Sequence, residues 1–239
     1  MIKVQQISDD DAALRFSPLV HGVLKTFAYV QEHGSIGLTP SKAFKRDFVH
    51  WAAAEFEWPD HTEADLFAVN KVLNEHDFMP LRYIHFLLNT LKLGRHYKGQ
   101  FRLTKAGQEL VGRPGRIFNT VVPFFLFRVD HAASSRFDDE HVLGNWDIFL
   151  NALNVETEDG ATGADLRRVL YGKPEAGFDA TMSGLYVQVL RPLCWAGLLA
   201  KKDGAYRYRS EDAVFVKTPL WRAALVLDTD AEVAPATRH

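Results

Sequence analysis

LLNTLKLGRHYKGQFRL, running from Leu87 to Leu103, and PLCWAGLLAKKDGAYRY, running from Pro192 to Tyr208, are two readings of one pattern set 105 positions apart. In register, Ile84 matches Val189, Leu88 matches Leu193 and Leu93 matches Leu198; Gly99 then matches Gly204, Phe101 matches Tyr206 and Arg102 matches Arg207. Each copy reads as an apolar helix end, a short strand, a tight basic turn holding a glycine, and a second alternating strand. In a chain of 239 residues, two repeats of about 100 residues favour two small domains over one large one.

The composition suits packed domains: 47% of residues are hydrophobic and 12% aromatic, too many for a disordered chain. The net charge of −2 conceals a strong segregation. Residues 80–116 hold eight Lys or Arg against Glu109 alone, a net +7. Residues 53–79 hold seven acids against Lys71, and residues 130–165 hold nine acids against Arg136, giving −6 and −8. Polarity along the chain matters more for partner choice than the sum. Cys194 is the single cysteine, so no internal disulfide forms and no zinc site is built from paired cysteines. The opening MIKVQQISDDDA lacks an apolar signal core, and the apolar stretch around 120–127 is too short to cross a bilayer. A reducing, cytoplasmic setting without membrane contact is expected.

The punctuation of the chain predicts five segments: an N-terminal arm (1–15), a first domain (16–113), a connecting helix and acidic loop (114–144), a second domain (145–227) and a flexible tail (228–239). Within the first domain a helix opens at Pro18 and stops at His33-Gly34, and Ile36 to Leu38 reads as a short strand. Thr39-Pro40-Ser41 reads as the start of a second helix, with Phe44, Phe48, Trp51 and Ala52 on one face. Thr62 begins a third, and His76 to Met79 is a turn before the helix 80–92, whose inward stripe is Ile84, Leu87, Leu88 and Leu91. Thr104 caps a short helix. The aromatic-rich connecting segment, with Phe118, Phe124, Phe125 and Phe127, is expected to be interrupted at Pro123, and the helix 181–195 to break at Pro192.

Two helices across a short turn match a helix-turn-helix, and the basic hairpin follows immediately. The run FRLTKAGQEL (101–110) resembles the strand-Leu-Thr-x-x-Gly-helix ending common in bacterial winged-helix regulators. With the repeat, residues 35–227 resemble a tandem winged-helix protein. The expected fold class is mainly α with small β-hairpins: two tandem winged-helix domains joined by an aromatic-rich helix. The resemblance implies a cytoplasmic role in binding double-stranded DNA or other proteins, often as a homodimer.

Opposite the leucine stripe of helix 80–92 stand Arg82, His85, Asn89 and Lys92, spaced for one helical face. Arg, Asn and Lys suit base edges and phosphates in a major groove. The counterparts Val187, Leu190, Cys194 and Gly197 are apolar or lack a polar side chain and should pack against protein, so only the first copy is a candidate reader. Arg95, His96, Lys98 and Arg102 put cations on the first wing, where they can meet phosphate or simply discourage edge-to-edge pairing. Lys42, Lys45, Arg46, Lys201, Lys202, Arg207 and Arg209 form a secondary basic set. A solvated helix face is the competing explanation for the polar stripe, and a protein-interaction module without nucleic-acid contact is the competing function.

Enzymatic chemistry has little purchase in the sequence. No His-Glu-x-x-His occurs among the ten histidines, and Asp138-Asp139-Glu140-His141 lacks the spacing of a calcium loop. Asp60, Glu63 and Asp65 near Lys71 fall on a loop and helix start without the strand that carboxylate-lysine nuclease chemistry requires. Gly112 and Gly115 make no phosphate loop, and Cys194 between Leu193 and Trp195 reads as core. No catalytic residue, metal or cofactor is expected.

Overall fold

The computed structural model describes residues 3–134, 142, 144–174, 179–202 and 211–233, which are mainly helical with small antiparallel sheets. The chain divides into two compact units, residues 7–122 and residues 1–6 with 123–239. The described chain opens with β1 (Lys3–Val4), which pairs antiparallel with Leu225–Val226 and so belongs to the second unit.

In the first unit α1 (Pro18–His33) starts where Ser17 Oγ accepts from the Val20 N–H, has Pro18 at its first position, and ends on Gly34 at φ 77°. Its stripe of Leu19, Val23 and Phe27 is fully buried, as an apolar 3.6-residue period demands. After β2 (Ile36–Gly37) the expected helix start at Thr39 is instead a closed turn. The Thr39 N–H donates to the Ala43 carbonyl, and Thr39 Oγ1 accepts from the Ala43 N–H at 3.1 Å. A threonine side chain used this way competes with helix nucleation, and α2 (Arg46–Glu55) begins only after Lys45. α3 (Glu63–Val69) carries a capping box of Thr62 and Asp65. It stops at Val69, so residues 70–78 with a 3₁₀ turn at Glu75–Asp77 join it to α4 (Met79–Thr90), in place of the four-residue turn expected from sequence.

β3 (Gly94–Tyr97) and β4 (Gln100–Leu103) form a hairpin, and the sheet order is β2-β4-β3. Lys98 at φ 49° and Gly99 at φ 73° meet the two-residue requirement of a hairpin turn that needs positive φ at both central positions. Gly94 is demanded by close packing: a Cβ there would lie 2.0 Å from Phe101 Cζ. α5 (Lys105–Gln108) is capped by Thr104 Oγ1. α6 (Pro114–Arg128) is continuous through Pro123, where a break was expected. Buried Ile117 and Phe118 before the proline and Phe125 and Leu126 after it offset the ~3 kcal/mol an interior proline costs.

The second unit repeats the order. α7 (Trp146–Glu156), β5 (Ala161–Thr162), α8 (Gly163–Tyr171), α9 (Ala180–Leu185) and α10 (Arg191–Ala196) precede β6 (Leu199–Lys201) and β7 (Val214–Lys217), with sheet order β5-β7-β6. α11 (Pro219–Ala224) and β8 (Leu225–Val226) close it. The break expected at Pro192 is absent. A π turn at Tyr186–Leu190 links α9 to α10 instead. Proline has no N–H to give, and its ring presses on the carbonyl four residues back, that of Gln188; the wider turn takes up the displacement.

The repeat is more exact in hydrogen bonds than in spelling. The Leu93 N–H donates to the Leu88 carbonyl at 2.8 Å, and the Leu198 N–H to that of Leu193 at 2.9 Å. The Thr104 N–H donates to the Leu93 carbonyl and the Thr218 N–H to the Leu198 carbonyl, both at 3.0 Å. Beyond Leu198 the gapless register fails. Lys201 pairs with Phe215 as His96 pairs with Phe101, so the partner of Phe101 is Phe215 and not Tyr206. Gly204, Tyr206 and Arg207 lie outside the described residues.

A buried histidine in this unit makes its stability pH-dependent. His131 Nε2 donates to the Phe125 carbonyl at 2.7 Å. Burial, opposed by that carbonyl and reinforced by Arg191, pushes its pKa down to about 4. The unfolded chain therefore takes up the proton first on acidification. The stabilising contribution is complete above pH 6.5 and is lost as pH falls towards about 4, to a total of ~3 kcal/mol. Urea unfolding of the wild type should show this slope, and His131→Gln should remove it; equal slopes in both would refute the assignment.

Candidate nucleic-acid interface

Leu81, Ile84, Leu87 and Leu88 are fully buried on α4, which fixes its opposite face outward. Arg82 is exposed on that face. His85 is not: its side chain is 9% exposed, so its expected place in an outward polar stripe is corrected. The Phe44 ring stacks on it at 3.8 Å and 15°. Its Nδ1 lies 2.6 Å from Glu75 Oε1, while Glu75 Oε2 accepts from the Phe44 N–H. A histidine can be buried here because Glu75 and Phe44 are brought to it from outside its own helix.

His85 in turn ties α4 to the wing. Its Nε2 lies 2.8 Å from His96 Nε2, and Asn89 Nδ2 lies 3.1 Å from the same atom. An amide nitrogen only donates, and His96 Nε2, with one lone pair when neutral, serves Asn89 or His85 according to the tautomers of the two rings. Desolvation first, then the His85 and Lys42 charges, hold the His96 pKa below its ordinary value, with Glu75 acting the other way. That favours the neutral ring the hydrogen bond needs. Asn89 Nδ2 also donates to the His85 carbonyl at 3.1 Å. Asn89 Nδ2 therefore lies between the His85 carbonyl and His96 Nε2, which makes Asn89 a positioning group between helix and wing, and a bidentate contact to adenine would compete with these contacts.

The hairpin gathers the remaining cations about one ring. Arg95 Cζ, Lys98 Nζ and Arg102 Cζ stand 5.7, 5.3 and 5.7 Å from the centre of Tyr97, which is 45% exposed. Arg95 and Arg102 are directly opposed across the two strands, an arrangement that costs energy for like charges. Gln100 Oε1 offsets part of this by accepting from Arg102 Nη2 at 2.7 Å. The pleat alternates, so Arg95, Tyr97 and Arg102 share one face of the hairpin, and His96 shares the other with buried Phe101. Arg95 and Arg102 also line a cleft of about 510 Å³ with Gln31 and Gln108. Lys92 is exposed just past the end of α4, at φ 56°, and its carbonyl accepts from Thr104 Oγ1 at 2.7 Å.

The secondary basic set disperses. Lys42 sits at φ 66° in the 39–43 turn, the Lys45 stem lies against Gly37, and Arg46 Nε donates to Asn74 Oδ1 at 2.9 Å. In the second unit Lys201 Nζ donates to Tyr186 Oη at 3.1 Å and lies 5.0 Å from the ring centre, while Lys202 is exposed. Arg207 and Arg209 lie outside the described residues. The counterpart of His85, Leu190, is fully buried, Gly197 is buried, and Val187 and Cys194 are half-buried.

Four participants escaped the sequence reading. Glu75 and Phe44 are remote from His85 in sequence and carry no local signal. Tyr97 was visible inside RHYKGQ as the aromatic among the wing cations. Phe86 was visible as the residue opposite Ile84 and Leu88 on a helical wheel, and it is 49% exposed. Among the described residues no three His, Cys, Asp or Glu side chains gather so as to hold a metal ion, and no helix is long and apolar enough to cross a membrane.

Comparison with known proteins follows the same division of the chain. The Y4jL N-terminal domain matches residues 15–116 and the y4jL C-terminal domain matches residues 135–219. The uncharacterised protein y4jL of Sinorhizobium fredii is 37% identical over 169 residues, covering 71% of this chain and 76% of that protein. The chain belongs to the Y4jL family, an uncharacterised bacterial family. No solved structure matches it.

Proposed function

We propose that the chain is a tandem winged-helix protein whose first unit binds double-stranded DNA, with α4 directed at the major groove and the 98–99 turn at the phosphate backbone. Its role is then non-catalytic and cytoplasmic, as a transcriptional regulator acting as a homodimer. Support for the fold comes from the order helix, strand, three helices, strand, strand in each unit, with the last of these strands central in each three-stranded sheet. Support for DNA comes above all from the hairpin: three cations around Tyr97, two of them directly opposed. A repulsive pair retained on an exposed strand is relieved by an anionic partner, and a row of phosphates is such a partner. Exposed Arg82 and Lys92 on and beside α4 extend the same field.

A second reading, a protein-interaction module, is favoured by one observation: Phe67, Val69 and Val72 are exposed at 37%, 80% and 47% at and after the end of α3. Titration of the full chain with a random-sequence duplex separates the two. Binding at low salt that weakens steeply as salt rises supports the DNA reading. No retention at low salt, or retention indifferent to salt, supports the protein-interaction reading instead.

A further inference from the structure

Phe86 is a large apolar side chain held outward by its own helix. Leu81, Ile84, Leu87 and Leu88 are each 0% exposed, and with them packed Phe86 projects from the middle of the opposite face at 49% exposure. Arg82, one turn earlier, shares that face. Asn89, one turn later, donates its amide to the His85 carbonyl at 3.1 Å and lies with the same nitrogen 3.1 Å from His96 Nε2, turned toward the wing. The residue on α4 best placed for base recognition is therefore apolar, with cations around it: Arg82 beside it, Lys92 beyond the helix end and the hairpin group after that.

A partner for this face must be anionic and must also present an apolar group to the ring. Duplex DNA meets both conditions, since the thymine C5 methyl is the one apolar group displayed on base edges in the major groove. We infer that Phe86 is a specificity-determining residue, recognising thymine through contact of its ring with the C5 methyl. This inference rests on the DNA-binding reading and adds to it the base preferred and the side chain that prefers it.

The test uses the full chain and duplexes enriched from a random pool, with each thymine in turn replaced by uracil, which differs only by that methyl. At one or more positions the wild type should bind the uracil duplex about fourfold more weakly, the value of burying one methyl-sized group. Phe86→Ala, whose exposed site leaves the core intact, should bind thymine and uracil duplexes alike. Phe86→Leu should restore part of the difference. Wild type that binds duplex but shows no loss on uracil substitution at any position overturns the inference while leaving DNA binding standing, as does undiminished discrimination by Phe86→Ala. No retention of any duplex at low salt overturns the DNA reading and this inference together, and assigns Phe86 to a protein contact.

Discussion

A Leu190→Asp chain should keep a folded first unit and lose the cooperative fold of the second. Leu190 is 0% exposed, and Leu185, Leu193 and Leu150 of the same unit are also 0% exposed. A carboxylate placed at this fully buried leucine site loses its hydration, and a desolvated charge left unpaired costs several kcal/mol. A small domain has about 5–15 kcal/mol of stability in all. Amide hydrogen exchange should show protection lost across residues 180–196 and kept across 18–33 and 79–90. Unchanged protection in 180–196 would mean that the face is open, and that the second unit offers a surface where a packed helix has been described.

Phe101→Ala should destabilise the first unit by about 3–5 kcal/mol, the usual cost of emptying a fully buried aromatic site. The ring is 0% exposed and meets Phe44 edge-on at 5.4 Å and His85 at 5.6 Å, with Gly94 making room beneath it. Its loss therefore loosens both the wing and the support of His85. Thermal unfolding should show a lower midpoint for the first unit, and duplex binding at low temperature should fall with it. A loss below 1 kcal/mol would show that the hairpin is not anchored through this ring.

These two positions also mark where the sequence is legible and where it is not. Leu88 and Leu93 align with Leu193 and Leu198 in the sequence because helix ends are local: the same N–H to carbonyl bond closes each. The following strand could not. Phe101 aligns with Phe215, and FRLT at 101–104 recurs as FVKT at 215–218, nine positions later than a gapless register allows. Lengthening a surface loop costs little free energy, so equal spacing breaks at hairpins before it breaks at helix caps. Thr39 misled for a related reason: the side chain that caps a helix can close a turn, and only the Ala43 contact decides between them. His85 misled because helical spacing gives direction and not partners; Glu75 and Phe44 bury it from elsewhere in the chain. The exposed cations of the wing were legible because a tight turn with Lys98 and Gly99 leaves its neighbours nowhere to go but solvent.

The central proposal is that the first unit's hairpin contacts phosphate. The most direct measurement is the slope of log K against log salt for the full chain on random duplex, wild type beside Lys98→Ala. Lys98 stands at the turn, exposed, with its charge 5.3 Å from the Tyr97 ring centre. Removing one phosphate contact should weaken binding uniformly across sequences and reduce the magnitude of the slope by about one unit. A slope near zero in the wild type, or identical slopes and affinities in both proteins, would contradict it.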